Sequence, residues 1–263
     1  MVSNLSMINM VVSIVVIFAL PVLFFWKFRS KSAVFRTMSA GAMGFFVAQY
    51  VVRLPLLNAL LLNESYAFIF DSPVLYALIL GMSAAFFELL FRIIILRWFM
   101  RDYHQKHHVL AAGFGHGIIE AILLVALSYI NNLVVAFYIN AGRIAELISE
   151  QTDPGVVNQL VESLTNANSW IFLVGGIERV FVVMIHMALT ILAFKGLQSK
   201  KWWHYWGLAF IIHAVLDFGI VMLQITNVSI FVIELGIVGF AIMSFIIIKQ
   251  FIQTTISTQG ENK

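Results

Sequence analysis

Cysteine is absent from these 263 residues. That excludes disulfides, thiolate metal ligands and cysteine nucleophiles. Charge is scarce: Asp, Glu, Lys and Arg make up 11% of the chain, against roughly 25% in a soluble domain. There are only four prolines, no internal repeat, no low-complexity segment, and no polar stretch long enough for a second domain. The motif HExxH is also missing, so the helix that carries zinc in the common metalloproteases is excluded. What the chain has in excess is apolar: 61% of residues are hydrophobic and mean hydropathy is +0.95. The reading is one integral membrane domain over residues 1–263, surrounded by lipid bilayer, with nothing that suggests nucleic acid as a partner.

Windows of about 20 apolar residues can span a bilayer. Seven such windows predict an all-α, polytopic helix bundle, at roughly 5–26, 35–60, 72–97, 108–131, 169–194, 204–224 and 228–250. The apolar run over 108–140 reads either as one span or as a span with an overhang. The first window lacks a basic leader and is too long for a cleavable signal, so it is expected to stay. Lys27, Arg29, Lys31 and Arg36 crowd one loop, Arg97, Arg101 and Lys106 another, and Lys195, Lys200 and Lys201 a third. Glu64, Asp71, Glu146, Glu150, Asp153, Glu162 and the short turn near Asn227 mark the alternate loops. Basic loops stay cytoplasmic, so the N-terminus is expected outside and the C-terminus, near Lys249 and Lys263, inside. The long loop over 141–168 repeats Ile144, Leu147 and Ile148, then Val157, Leu160, Val161 and Leu164, at helical spacing around the breaker Asp153-Pro154-Gly155. It is expected to form short amphipathic helices at the outer interface.

Ionisable groups inside spans are costly, and they are usually kept for a binding site, a proton path or a reaction. Four hydrophobic windows carry them here. At 1.5 Å per residue, Glu88, His116, His186 and His213 all fall roughly 12–14 Å from the cytoplasmic boundary. Each has a companion. Glu88 precedes Arg92 by one helical turn, the favourable order for an ion pair. His116 shares a face with Glu120, and His213 with Asp217. Arg179 is nearly in register with His186, whereas Glu178 points away from that face. Gly113, Gly115 and Gly117 around His116 allow close helix approach. The expectation is one shared site, with the side chains of Glu88, His116, His186 and His213 about 3–7 Å apart. His104, His107, His108 and His204 are read as solvated or headgroup neighbours, and Arg53, before Pro55, as a side chain that snorkels to the outer boundary.

Carboxylates and imidazoles without a paired nucleophile suit water chemistry. A carboxylate takes a proton from water, and imidazoles position that water or donate to an oxyanion. The same histidines, His116, His186 and His213, are candidate zinc ligands. Spacing alone does not separate a bare glutamate mechanism from a metal one. It also leaves open a proton- or ion-coupled transporter, and a non-catalytic membrane scaffold.

The set ExxxR, GHGIIEA, GIER…H and HAVLDF resembles the glutamic-type, CAAX-processing membrane protease superfamily, and most closely its YhfC-like branch. The resemblance implies an intramembrane endopeptidase of a bacterial plasma membrane, acting on a membrane protein or peptide. By it, Glu88 activates water, His116 assists, and His186, His213 and Asp217 line the site and stabilise the oxyanion, with Arg92, Glu178 and Arg179 in support. No cofactor is required for such a mechanism. Phe87 stands where the CAAX family has the first of two glutamates, so Glu120 competes with Glu88 for the role of base. Asp217 stands in place of the usual Asn.

Overall fold

The computed structural model describes residues 1–147, 154–226 and 228–260. Among these, every regular element is helical. Seven helices are long and apolar enough to cross a membrane: α1 (Asn4–Phe28), α2 (Val34–Leu60), α3 (Pro73–Phe99), α4 (Lys106–Asn140), α6 (Ser169–Gln198), α7 (Trp202–Ile225) and α8, whose spanning part is Ile230–Thr254. A shorter helix, α5 (Pro154–Asn166), precedes α6. The protein is thus a multi-pass integral membrane protein. Large apolar side chains such as Leu235, 71% exposed, and Val22, 67% exposed, face outward, as a lipid-facing surface requires.

Two of the four prolines open helices, while Pro21 lies inside α1. Pro73 opens α3 behind a Ser72 cap whose hydroxyl accepts from the Leu75 amide, and Pro154 opens α5, since a first-turn residue has no intrahelical acceptor for its N–H. The run over 108–140 is one helix, α4, interrupted by π-type turns over Ile122–Ala126. Similar turns occur in α2 over Val47–Arg53 and in α3 over Ile95–Phe99. In the long loop the second expected helix is α5. The first is only a 3₁₀ turn, Ile144–Leu147, too short to present an amphipathic face. Ile148, Glu150, Asp153, Asn227 and Lys263 lie outside the described residues.

The chain forms two compact units. One comprises Met1–Phe24 and Glu120–Val180, the other Phe25–Ile119 and Phe181–Lys263. The first has a core of Val2, Met10, Val135, Ala136, Leu164 and Phe172, so the apolar face of α5 is buried through Leu164. Polar seams close it: Ser13 Oγ donates to the Phe172 carbonyl at 2.7 Å. The second unit has two cores. One gathers Leu96, Met100, Val109, Ile191 and Phe194, the other Ile185, Leu189, Ile212, Leu216 and Ile237.

Candidate active site

Five helices meet in the second unit without room for side chains at their crossings. A Cβ on Gly115 of α4 would lie 1.9 Å from the Met38 carbonyl oxygen of α2. On Gly113 or Gly117 it would meet the α6 backbone at Met187 or Val183, within 2.7–2.8 Å. Hydrogen at these positions lets α4 wedge between α2 and α6, as small residues do in membrane bundles. Gly81 does the same for α3 against α7, 2.7 Å from the Phe218 amide nitrogen. His116, between Gly115 and Gly117, is thereby carried inward.

The side chains converge on one carboxylate oxygen. His116 Nε2 is 2.9 Å from Glu88 Oε2, and Arg92 Nη2 is 3.1 Å from it. His213 Nε2 lies at 3.6 Å and His186 Nδ1 at 4.0 Å. All five residues are at most 4% exposed. The imidazoles also pack on one another, with ring centroids of His116 and His186 4.9 Å apart and those of His186 and His213 5.7 Å apart. Arg92 Nη2 donates to His186 Nδ1 at 2.6 Å. A guanidinium can only donate, so Nδ1 is the acceptor and the ring is the neutral Nε2–H tautomer. Asp217 Oδ2 sits 3.3 Å from His213 Nε2 and, at 29% exposed, is the least buried group of the set. The expected 3–7 Å meeting of Glu88, His116, His186 and His213 therefore holds.

The other companions lie in the first unit. Arg179 Nη1 is 3.6 Å from Glu120 Oε1, and Arg179 also bonds to Glu178. Glu178, expected to point away from the Arg179 face, turns its carboxylate back to its neighbour. The histidines near the basic loops are not all solvated. His108 is 4% exposed because it packs edge-on against Tyr103 and donates to the Ser32 carbonyl at 3.0 Å.

Two residues not expected here complete the Glu88 carboxylate. Gln49 Nε2 donates to Glu88 Oε1 at 2.6 Å, and Arg53 Nη1 donates to Gln49 Oε1 at 2.8 Å. Arg53 does not snorkel. It turns in to bond Ser83 Oγ at 3.0 Å and the Leu80 carbonyl at 2.8 Å. A cation inside an apolar span, one turn after a glutamine, was the available signal.

With neutral imidazoles, Glu88 and Asp217 balance Arg92 and Arg53. Such cancellation lowers the cost of holding charge out of water. The donor set also suits a metal. Glu88, His116 and His186 each offer one ligand atom, all within 4.8 Å of one another. Beside the cluster, a groove of about 380 Å³ runs between α2 and α3, from Arg36 and Tyr103 past Met43, Phe91 and Phe99. Gly44 and Ile95 line both this groove and a small cavity next to Arg92 and His116.

The model of a family described as YhfC intramembrane metalloprotease matches residues 15–238 of the chain. A Bacillus subtilis (strain 168) protein described as "Uncharacterized membrane protein YhfC" is 30% identical over 203 residues, covering 76% of this chain and 79% of its own. No solved structure matches.

Proposed function

Because this chain belongs to the YhfC family of intramembrane metalloproteases, we propose that it hydrolyses a membrane-embedded or membrane-proximal peptide bond with water activated in the Glu88 cluster. The observation that carries this reading is the meeting of three imidazoles from three helices on one buried carboxylate oxygen. Packing needs no such convergence, whereas acid–base chemistry does.

The residues present fit a divalent ion of the zinc type. Imidazole and carboxylate are the ligands of catalytic zinc, and Glu88, His116 and His186 would hold it, with His213 as the further imidazole. A bound ion would supply polarisation of the scissile carbonyl and acidification of water. The Arg92 guanidinium, 2.6 Å from His186 Nδ1, stands among these donor atoms and would have to swing aside. That position favours a second reading, in which Glu88 works without an ion, as in the glutamic-type enzymes. Glu88 Oε2 then takes the proton from water. In this second reading His213 Nε2, set between Glu88 Oε2 and Asp217 Oδ2, passes a proton toward the more exposed Asp217. The apolar groove between α2 and α3 offers an approach for an apolar peptide segment, and the basic loops would orient that end to the cytoplasm.

The test is cleavage of co-expressed single-span membrane proteins, with Glu88→Gln and His116→Ala as inactive controls, beside metal analysis of the purified protein. Stoichiometric zinc whose removal abolishes cleavage and whose return restores it supports the first reading. Cleavage that persists under strong chelation supports the second. Ion flux in liposomes, lost in the same variants and unaccompanied by cleavage, would replace both with a transporter.

A further inference from the structure

We propose that Gln49 and Arg53 form a directional clamp that sets the Glu88 carboxylate for its work, making both of them positioning residues; this rests on the reading of Glu88 as the reactive or metal-holding carboxylate. Arg53 carries only donors, so the group it faces on Gln49 must be the carboxamide oxygen. That assignment turns the NH₂ of Gln49 toward Glu88 Oε1, at 2.6 Å. The two oxygens of Glu88 are thus divided. Oε1 is held by Gln49, and Oε2 faces His116, Arg92, His213 and His186.

The clamp is itself anchored. Two further donors of Arg53 are taken by Ser83 Oγ and the Leu80 carbonyl, both on α3, the helix that carries Glu88. The guanidinium therefore ties α2 to α3 about one and a half to two turns from Glu88, and these bonds hold it in place against the glutamine. The local backbone is unusual at the same place: π-type turns run from Val47 to Arg53. Such turns are rare and concentrate at functional sites. Gln49 is 8% exposed, so its amide has little water to turn to. A glutamine bonded to the far oxygen of a metal-holding or basic carboxylate fixes its rotamer. Outer partners of this kind are worth about 10–100-fold in metal affinity.

The experiment compares wild type with Gln49→Leu, Gln49→Glu and Arg53→Met, purified in detergent, by zinc affinity in competition with a chromophoric chelator and by thermal unfolding. Gln49→Leu should weaken zinc about 10–100-fold with little change in unfolding temperature. Arg53→Met, which frees the amide to flip, should weaken it less. Gln49→Glu, which faces Glu88 with a second acid, should not restore the wild-type value. Equal zinc affinity in wild type and Gln49→Leu would overturn the clamp. Should wild type bind no zinc, the metal reading of the site fails on its own. The clamp is then decided by infrared spectroscopy of the Glu88 carboxylate band, identified by its loss in Glu88→Gln. A shift of that band in Gln49→Leu upholds the clamp, and an unmoved band overturns it.

Discussion

Two clusters of ionisable side chains occupy the membrane-spanning helices, and they are built on different rules. In the second unit, Glu88 is surrounded by Arg92, His116, His186 and His213, each at most 4% exposed. In the first unit, Glu120, Glu178 and Arg179 form a set with side chains 13–16% exposed. The first-unit set has only carboxylates and a guanidinium, groups that satisfy one another by charge. The Glu88 cluster adds three imidazoles, whose ring nitrogens can each take or give a proton. Ion pairing alone accounts for Glu120, Glu178 and Arg179. It does not account for three imidazoles gathered around a single oxygen, with His186 packed on both His116 and His213. Buried charge is therefore a necessary sign of a site in such a protein, while the mixture of charged and neutral proton carriers is the more telling one.

The widest gap between the clusters should appear in catalysis. Glu88→Gln should lower cleavage of a membrane substrate by about 10²–10⁴, whereas Glu120→Gln should lower it less than about tenfold. Equal losses in both would erase the contrast and bring Glu120 back as the base. Zinc binding should divide them as well. If the wild type holds zinc, His116→Ala or His186→Ala should remove it, and Glu178→Gln should leave its stoichiometry intact.

Asp217→Asn should have a smaller effect, because in the proposed proton route Asp217 acts through His213. A loss of about tenfold in turnover, with substrate affinity unchanged, is the expected kinetic result, and loss of affinity alone would remove Asp217 from the proton route. The smallest catalytic effect is expected from Arg179→Met. It should cost about 1–3 kcal/mol of stability by removing the guanidinium that these carboxylates share, measured by denaturant unfolding in micelles, with cleavage by the folded fraction close to normal. Cleavage abolished in a fully folded Arg179→Met protein would make the first-unit cluster part of the reaction.

The bundle and much of its site could be read from the chain. The seven apolar windows emerge as α1–α4 and α6–α8 because a bilayer admits only segments that satisfy their own backbone. The apolar run over 108–140 resolved to a single helix. The meeting of Glu88, His116, His186 and His213 was accessible by counting residues along each helix, since helical rise is constant. The glycines beside His116 announced close packing for the same kind of reason: a missing Cβ is a property of the residue itself.

Rotation about each helix axis was another matter. Hydropathy is silent on which way a polar side chain turns inside a uniformly apolar span, and each residue advances the helix by about 100°. The π-type turns over Val47–Arg53 further alter the register on which any face assignment for Gln49 and Arg53 depends. That is how an arginine expected at the outer boundary came to brace the Gln49 amide. Glu178 likewise met Arg179 through side-chain bending that a helical wheel does not contain. Sequence alone determined how many helices are long and apolar enough to cross, which of them carry ionisable groups and how far along each helix those groups sit, because these follow from composition and length. Only the tertiary structure decided which groups share a carboxylate and which merely pair, because that depends on helix rotation, register and the few crossings where glycine lets two backbones touch.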